Sequence, residues 1–159
     1  MSTTNPVIDI YTDGSGDPLS RIGAWASILF INGDRIILEG SETETTHQRM
    51  ELIAIIKSIK YVEANRLSNS VNIYTDSQYA LGLIERKQDL VASGFRTINN
   101  KTFRNEDLMR EFLQTIEKSG LNFFKIKAHQ KIKEGNYNRE VDLLVRKNLR
   151  KAIAESSGT

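Results

Sequence analysis

The tetrapeptide Ile-Tyr-Thr-Asp occurs twice, closing the strand-like runs VIDIYTD at 7–13 and VNIYTD at 71–76, and what lies between the copies limits the folds open to the chain. GAWASILFI (23–31) and RIILEG (35–40) read as two further strands around the turn formers Asn32-Gly33-Asp34, a hairpin. From Gln48 to Ala64, the residues Met50, Ile53, Ile56 and Ile59 recur at helical spacing, with Leu52, Ile55 and Val62 beside them and Thr45 or Thr46 as cap. Three antiparallel strands followed by one helix favour a right-handed crossover that lays the fourth strand parallel to the first. The likeness stops at four residues, so a repeat architecture is excluded.

If the two strands are neighbours, Tyr11 and Asp13 share a face with Tyr74 and Asp76. Both aspartates then stand at carboxyl ends of strands, about 5 Å apart, where open α/β sheets bind ligands. Two ionised carboxylates at that spacing repel unless a proton or a cation is shared. Either aspartate alone equally reads as a turn residue before Gly or Ser. Two further acids lie within polar breaks of apolar runs: Glu51 in about the first turn of the crossover helix, and Asp142 in the first turn of the last helix. Each alone could complement a helix dipole. Together, four carboxylates from four elements form the oxygen-rich set that a two-metal site requires.

The rest of the chain continues the pattern. Ser77 caps a short helix, residues 85–104 read as irregular and polar, and Asn105 caps a helix with Leu108, Phe112 and Ile116 on one stripe, closing near Gly120. LNFFKIKA (121–128) is a fifth strand, and a last helix from about Asn138 turns Val141, Leu144, Val145 and Leu149 inward. Residues 1–159 read as a single domain, frayed at 1–6 and 156–159. With no cysteine and two histidines, His47 and His129, any metal must rest on oxygen or imidazole, and the twenty acidic residues favour magnesium or manganese. Neither a leader pattern nor a long apolar run is present, so a cytoplasmic monomer with no membrane or protein partner is expected. Net charge is +2; with four acids neutralised, 22 basic residues against 16 acidic give a surface of +6, suited to phosphates.

IYTDGS, TTHQRMEL, IYTDSQY, KAH and NREVDLL stand in the order and approximate spacing of type 1 ribonuclease H, and the resemblance covers nearly the whole chain. It implies an α/β ribonuclease H-like fold: a five-stranded mixed sheet, order 3-2-1-4-5, with helices on both faces. It also implies a metal-dependent endonuclease acting on the RNA strand of RNA/DNA hybrids, with two Mg2+ ions (or Mn2+) and products bearing 5′-phosphate and 3′-hydroxyl ends. Carried over by motif, Asp13, Glu51, Asp76 and Asp142 resemble the catalytic, metal-holding tetrad, and His129 resembles the histidine that assists proton handling or product departure. Gly14, Ser15, Gln48, Ser77, Gln78 and Asn138 fall at substrate-binding positions, and Thr46 resembles the threonine that holds a phosphate of the DNA strand.

The chain departs from the family pattern in four places. The turn after the first aspartate reads GDPLSRIG (16–23), and His47 stands where asparagine is usual. The 85–104 segment, at the place of the family's basic protrusion, has one aromatic residue, Phe95, and a weakly basic first half. The stretch from His129 to Asp142 is longer and adds Lys131 and Lys133; no further N-terminal hybrid-binding module is expected. A hybrid-binding module without activity, or another nuclease of the same broad fold, are the alternatives. Ser15 stands where related exonucleases carry a second acid, which speaks against them.

Overall fold

The turn Asn32-Gly33 has positive φ at both residues, 52° and 83°, the backbone that closes a two-residue hairpin, and it joins β2 (Gly23–Ile31) to β3 (Asp34–Glu42). In a computed structural model that describes residues 7–65, 67, 70–118, 120–126 and 137–158, these strands and β1 (Ile8–Gly16), β4 (Val71–Thr75) and β5 (Leu121–Lys125) form one sheet of order β3-β2-β1-β4-β5. β2 runs antiparallel to β1 and β3, whereas β1, β4 and β5 are parallel. The adjacency read from the repeated tetrapeptide therefore holds, with Ile10 opposite Ile73 and Tyr11 opposite Tyr74.

Alternation along the strands sorts the core into two layers. Ile8, Ile10, Trp25, Leu29, Ile31 and Ile73 face α1 (His47–Ala64), whose Met50, Leu52, Ile55, Ile56 and Ile59 are buried. Ala24, Ala26 and Ile28 point the other way, against Val141 and Val145 of α5 (Asn138–Ser157). Helices thus cover both faces. Thr46 settles the α1 cap: its Oγ1 accepts the Arg49 amide at 3.2 Å. The other helices are α2 (Gln78–Glu85), α3 (Lys87–Ala92) and α4 (Glu106–Thr115), and none of the helices among the described residues is long and apolar enough to cross a membrane.

Several expectations need correction. β1 does not stop at Asp13 but runs on to Gly16, because Gly14, Ser15 and Gly16 pair with Trp25, Ala24 and Gly23. The 85–104 segment is not wholly irregular: it contains α3, and Leu90 and Phe95 are buried. Its basic residues are partly committed within the fold, Lys87 to Glu117 at 3.1 Å and Arg86 over the Phe103 ring. Asn105 stands at the start of α4 with φ 66° and makes no side-chain cap; its Oδ1 accepts from Arg49 instead. α4 ends at Thr115, short of Gly120, and β5 ends at Lys125. Helix α5 continues through Ser157; residues 1–6 and 159 lie outside the described residues.

Gly14 and Gly16 have a packing reason to be glycine. A Cβ on Gly14 would lie 2.4 Å from the Met50 carbonyl carbon and 2.6 Å from the Glu51 amide, and one on Gly16 would lie 2.6 Å from the His47 amide. The first turns of α1 rest directly on the backbone of β1, with no flexible side chain able to give way. Gly14→Ala should therefore push α1 outward at a cost of about 1–3 kcal/mol. Urea unfolding of the two proteins measures this, and an unchanged midpoint would contradict the close approach.

Candidate active site

The parallel pairing of β1 with β4 ends at Tyr11 and Tyr74, whose rings stack with centroids 4.6 Å apart and planes 9° from parallel. Beyond that point β1 continues beside β2 while the chain leaves β4 and enters α2, so the sheet parts between Asp13 and Asp76. Such a parting beside parallel strand ends is where α/β sheets take ligands. α1 brings Glu51 to it from one face and α5 brings Asp142 from the other. Each is the fifth residue of its helix, a turn later than the sequence suggests. A dipole-complementing role fades within the first turn and does not account for either acid.

The charge on Asp13 is coupled to all three other acids. Asp13 is pushed up to about 8, chiefly by burial and next by the charge of Asp76, with smaller upward pressure from Asp142 and Glu51. The Gly14 amide, donating to Asp13 Oδ1 at 2.9 Å, opposes this only in part. Glu51, 8% exposed, is likewise raised, first by burial; His47 and a hydrogen bond from Ser77 pull it down, and Asp76 pushes it up. His47 Nε2 lies 3.4 Å from Glu51 Oε1. Asp142 Oδ2 takes two guanidinium groups, Arg146 Nε at 3.2 Å and Arg139 Nη1 at 3.4 Å.

Asp13, Glu51 and Asp142 are thus each turned toward a donor of their own chain. Among the described residues, no three acids or imidazoles are already drawn together as a cage for an ion. The donor set nevertheless suits a hard divalent cation: it is all oxygen and mostly buried, and burial first, then the charge of the neighbouring acids, makes Asp13 hold its proton at neutral pH. A shared cation would relieve that crowding.

Of the other sequence-designated residues, Gly14 and Ser77 bond directly to the acids. Ser77 is buried, accepts the Ala80 amide at 3.0 Å as the α2 cap, and donates to Glu51. Gln48 and Gln78 are exposed at the starts of α1 and α2, Ser15 is half-buried on β1, and Asn138 is buried at the start of α5. The Gly14 amide is committed to Asp13. Thr46 uses an oxygen lone pair as a cap, which leaves its hydroxyl hydrogen for another acceptor. It lines a cleft of about 600 Å3 together with His47, Arg49, Arg104 and Asn105. His129 lies outside the described residues. Sequence reading missed Arg49, which grips Asp107 at 3.1 and 3.3 Å and so ties the start of α1 to the start of α4. It also missed the pairing of Arg139 and Arg146 with Asp142, although their i−3 and i+4 spacing was the available signal.

The family model described as RNase H matches residues 5–150. The chain is 32% identical over 163 residues to a ribonuclease H of Caldanaerobacter subterraneus subsp. tengcongensis, covering 98% of this chain and 99% of the relative. It is 36% identical over 150 residues to a ribonuclease H of Francisella tularensis subsp. novicida, covering 93% and 91%. Among solved structures it resembles a foamy viral protease-reverse transcriptase determined in complex with dsDNA, with TM-score 0.71, 19% identity, and 89% and 93% of the two chains covered; at that identity the likeness concerns the fold.

The crowding sets a pH dependence. Asp13 ordinarily titrates near 3.8 and in the fold near 8, so folding favours its protonated form. That contribution is fully present below about pH 4 and is lost as pH rises through 8. In chelator, the melting temperature should therefore fall between about pH 5 and pH 8.5, and Asp13→Asn should flatten the fall. Above about pH 8 the variant should melt higher than wild type by several degrees. Calorimetric melts at both ends of this range check it; a variant that melts lower throughout would mean the aspartates are not opposed.

Proposed function

The chain belongs to the ribonuclease H family of endoribonucleases, and from that premise we propose that it cuts the RNA strand of RNA/DNA hybrids with two divalent cations, Mg2+ or in its place Mn2+, held among Asp13, Glu51, Asp76 and Asp142. The products then carry 5′-phosphate and 3′-hydroxyl ends. The observation that supports this most directly is the electrostatic coupling of Asp13 to all three other acids at the parting of the sheet. When bound, the cations supply Lewis-acid polarisation of the scissile phosphate, a more acidic attacking water and charge stabilisation at the departing oxygen.

The chain's own part is to hold and orient. Asp13, coupled to the acids from both faces of the sheet, would hold the cations together with them; Ser77 and His47 fix the rotamer of Glu51. Thr46, at the α1 cap, offers its hydroxyl hydrogen to a DNA-strand phosphate, and the helix start adds a favourable field. Gly14, Ser15, Gln48, Ser77, Gln78 and Asn138, each within four residues of one of the acids in the chain, are assigned to the minor groove, where a 2′-hydroxyl separates RNA from DNA. For Gly14 and Ser77 this duty must be shared with the hydrogen bonds already described. His129 is assigned to proton handling or product departure.

On labelled RNA/DNA, RNA/RNA, DNA/DNA and single-stranded substrates, only the RNA of the hybrid should be cut internally, with activity abolished by chelator and by Asp13→Asn. Equal cleavage of duplex DNA, or cutting that survives excess chelator, would refute the reading. His129→Ala should lower turnover by about 100-fold, the low end of the range for lost general acid–base assistance, and leave cation affinity unchanged. Loss of cation binding in that variant would make His129 a ligand instead.

A further inference from the structure

Asp142 receives two arginines on one oxygen, and the two are not equivalent. Arg146 follows Asp142 by four residues on α5, the order in which an acid–base pair supports a helix, and such a pair would be unremarked on any exposed helix. Arg139 precedes it by three residues and is the second residue of α5. There its charge faces the positive end of the helix dipole, and the order of cation before acid is the weaker one. The neighbouring acid does not explain it either, since Glu140 pairs with Arg35 on β3. Yet the Arg139 side chain is only 33% exposed, drawn in against Asp142 rather than extended into water. What favours its placement is the surplus negative charge of the four-acid cluster.

We propose that Arg139 is a positioning residue that acts as the chain's own counter-cation for Asp142, holding the carboxylate while the site is unloaded and having to yield when a divalent cation arrives. This rests on the reading of Asp142 as a cation ligand. The reasoning is geometric. An oxygen that accepts a hydrogen bond from one guanidinium and is ion-paired with a second has little lone-pair density left to coordinate, and a unit positive charge 3.4 Å from it repels an incoming dication. Arg139 therefore raises the cation concentration at which the site fills. In the unloaded protein it also keeps Asp142 from adding its full charge to the pressure on Asp13.

Mn2+ binding, followed by the electron paramagnetic resonance of the free ion without nucleic acid, tests this apart from activity. Arg139→Gln should tighten binding about three- to tenfold, the size of a partly exposed ion pair plus the charge it carries. Arg139→Lys should remain close to wild type, since the charge is kept. In an Asp142→Asn background, Arg139→Gln should change affinity less than about twofold. A residue that merely shaped the helix would alter melting and leave Mn2+ affinity alone. Unchanged or weaker binding in Arg139→Gln overturns the proposal, as does equal tightening in the Asp142→Asn background. If Asp142→Asn binds Mn2+ like wild type, the ligand reading of Asp142 itself fails. If Asp142→Asn loses binding but Arg139→Gln is indifferent, only the role of Arg139 falls.

Discussion

Parallel pairing between β1 and β4 stops after Tyr11 and Tyr74, and the site depends on that one break in the ladder. Had the two strands stayed paired for two more residues, Asp13 and Asp76 would lie side by side on a closed sheet surface with no room between them. The stacked tyrosines, extended by Phe124 on β5 at 5.2 Å, hold the strands together up to the break. Past it, β1 is kept straight by β2 while the other strand turns away under the Ser77 cap. The opening is thus produced by two different hydrogen-bonding fates of neighbouring strands, and the acids from α1 and α5 need only reach its rim.

Crowding four carboxylates there is costly, and the chain offsets it locally. Asp13 takes up a proton, Glu51 leans on His47 and Ser77, and Asp142 on two guanidinium groups. Glu51 and Asp142 thus each have a basic partner within 3.4 Å, while the acids themselves remain within electrostatic reach of Asp13. Such an arrangement is stable enough to fold and still gains from a shared cation.

Much of this could be read from the residues. The helical spacing from Met50 to Ile59, the Asn32-Gly33 hairpin and the strand alternation ending in each Asp carry strong periodic signals, and the topology followed from one crossover. The reading failed where local chemistry had two outcomes. Gly14-Ser15-Gly16 has the composition of a turn, but pairing with β2 and the nearness of α1 make it strand. α3, six residues with a single buried Leu90, is too short to show a period. Asn105 has the chemistry of a cap, but its side chain is claimed by Arg49 from α1, a residue 56 positions away. Long-range claims of that kind leave no trace in a local window.

The proton held by Asp13 gives the proposed cation site a second currency of exchange. A carboxyl that titrates near 8 is largely protonated at neutral pH, and a cation cannot take that oxygen pair until the proton departs. On the proposed reading, loading the site is therefore an ion swap, with hydrogen ion released to the medium as the metal enters. Acidification then opposes loading by mass action, with no separate sensor and no change of shape, and the heat of the event includes the ionisation of whatever buffer accepts the proton.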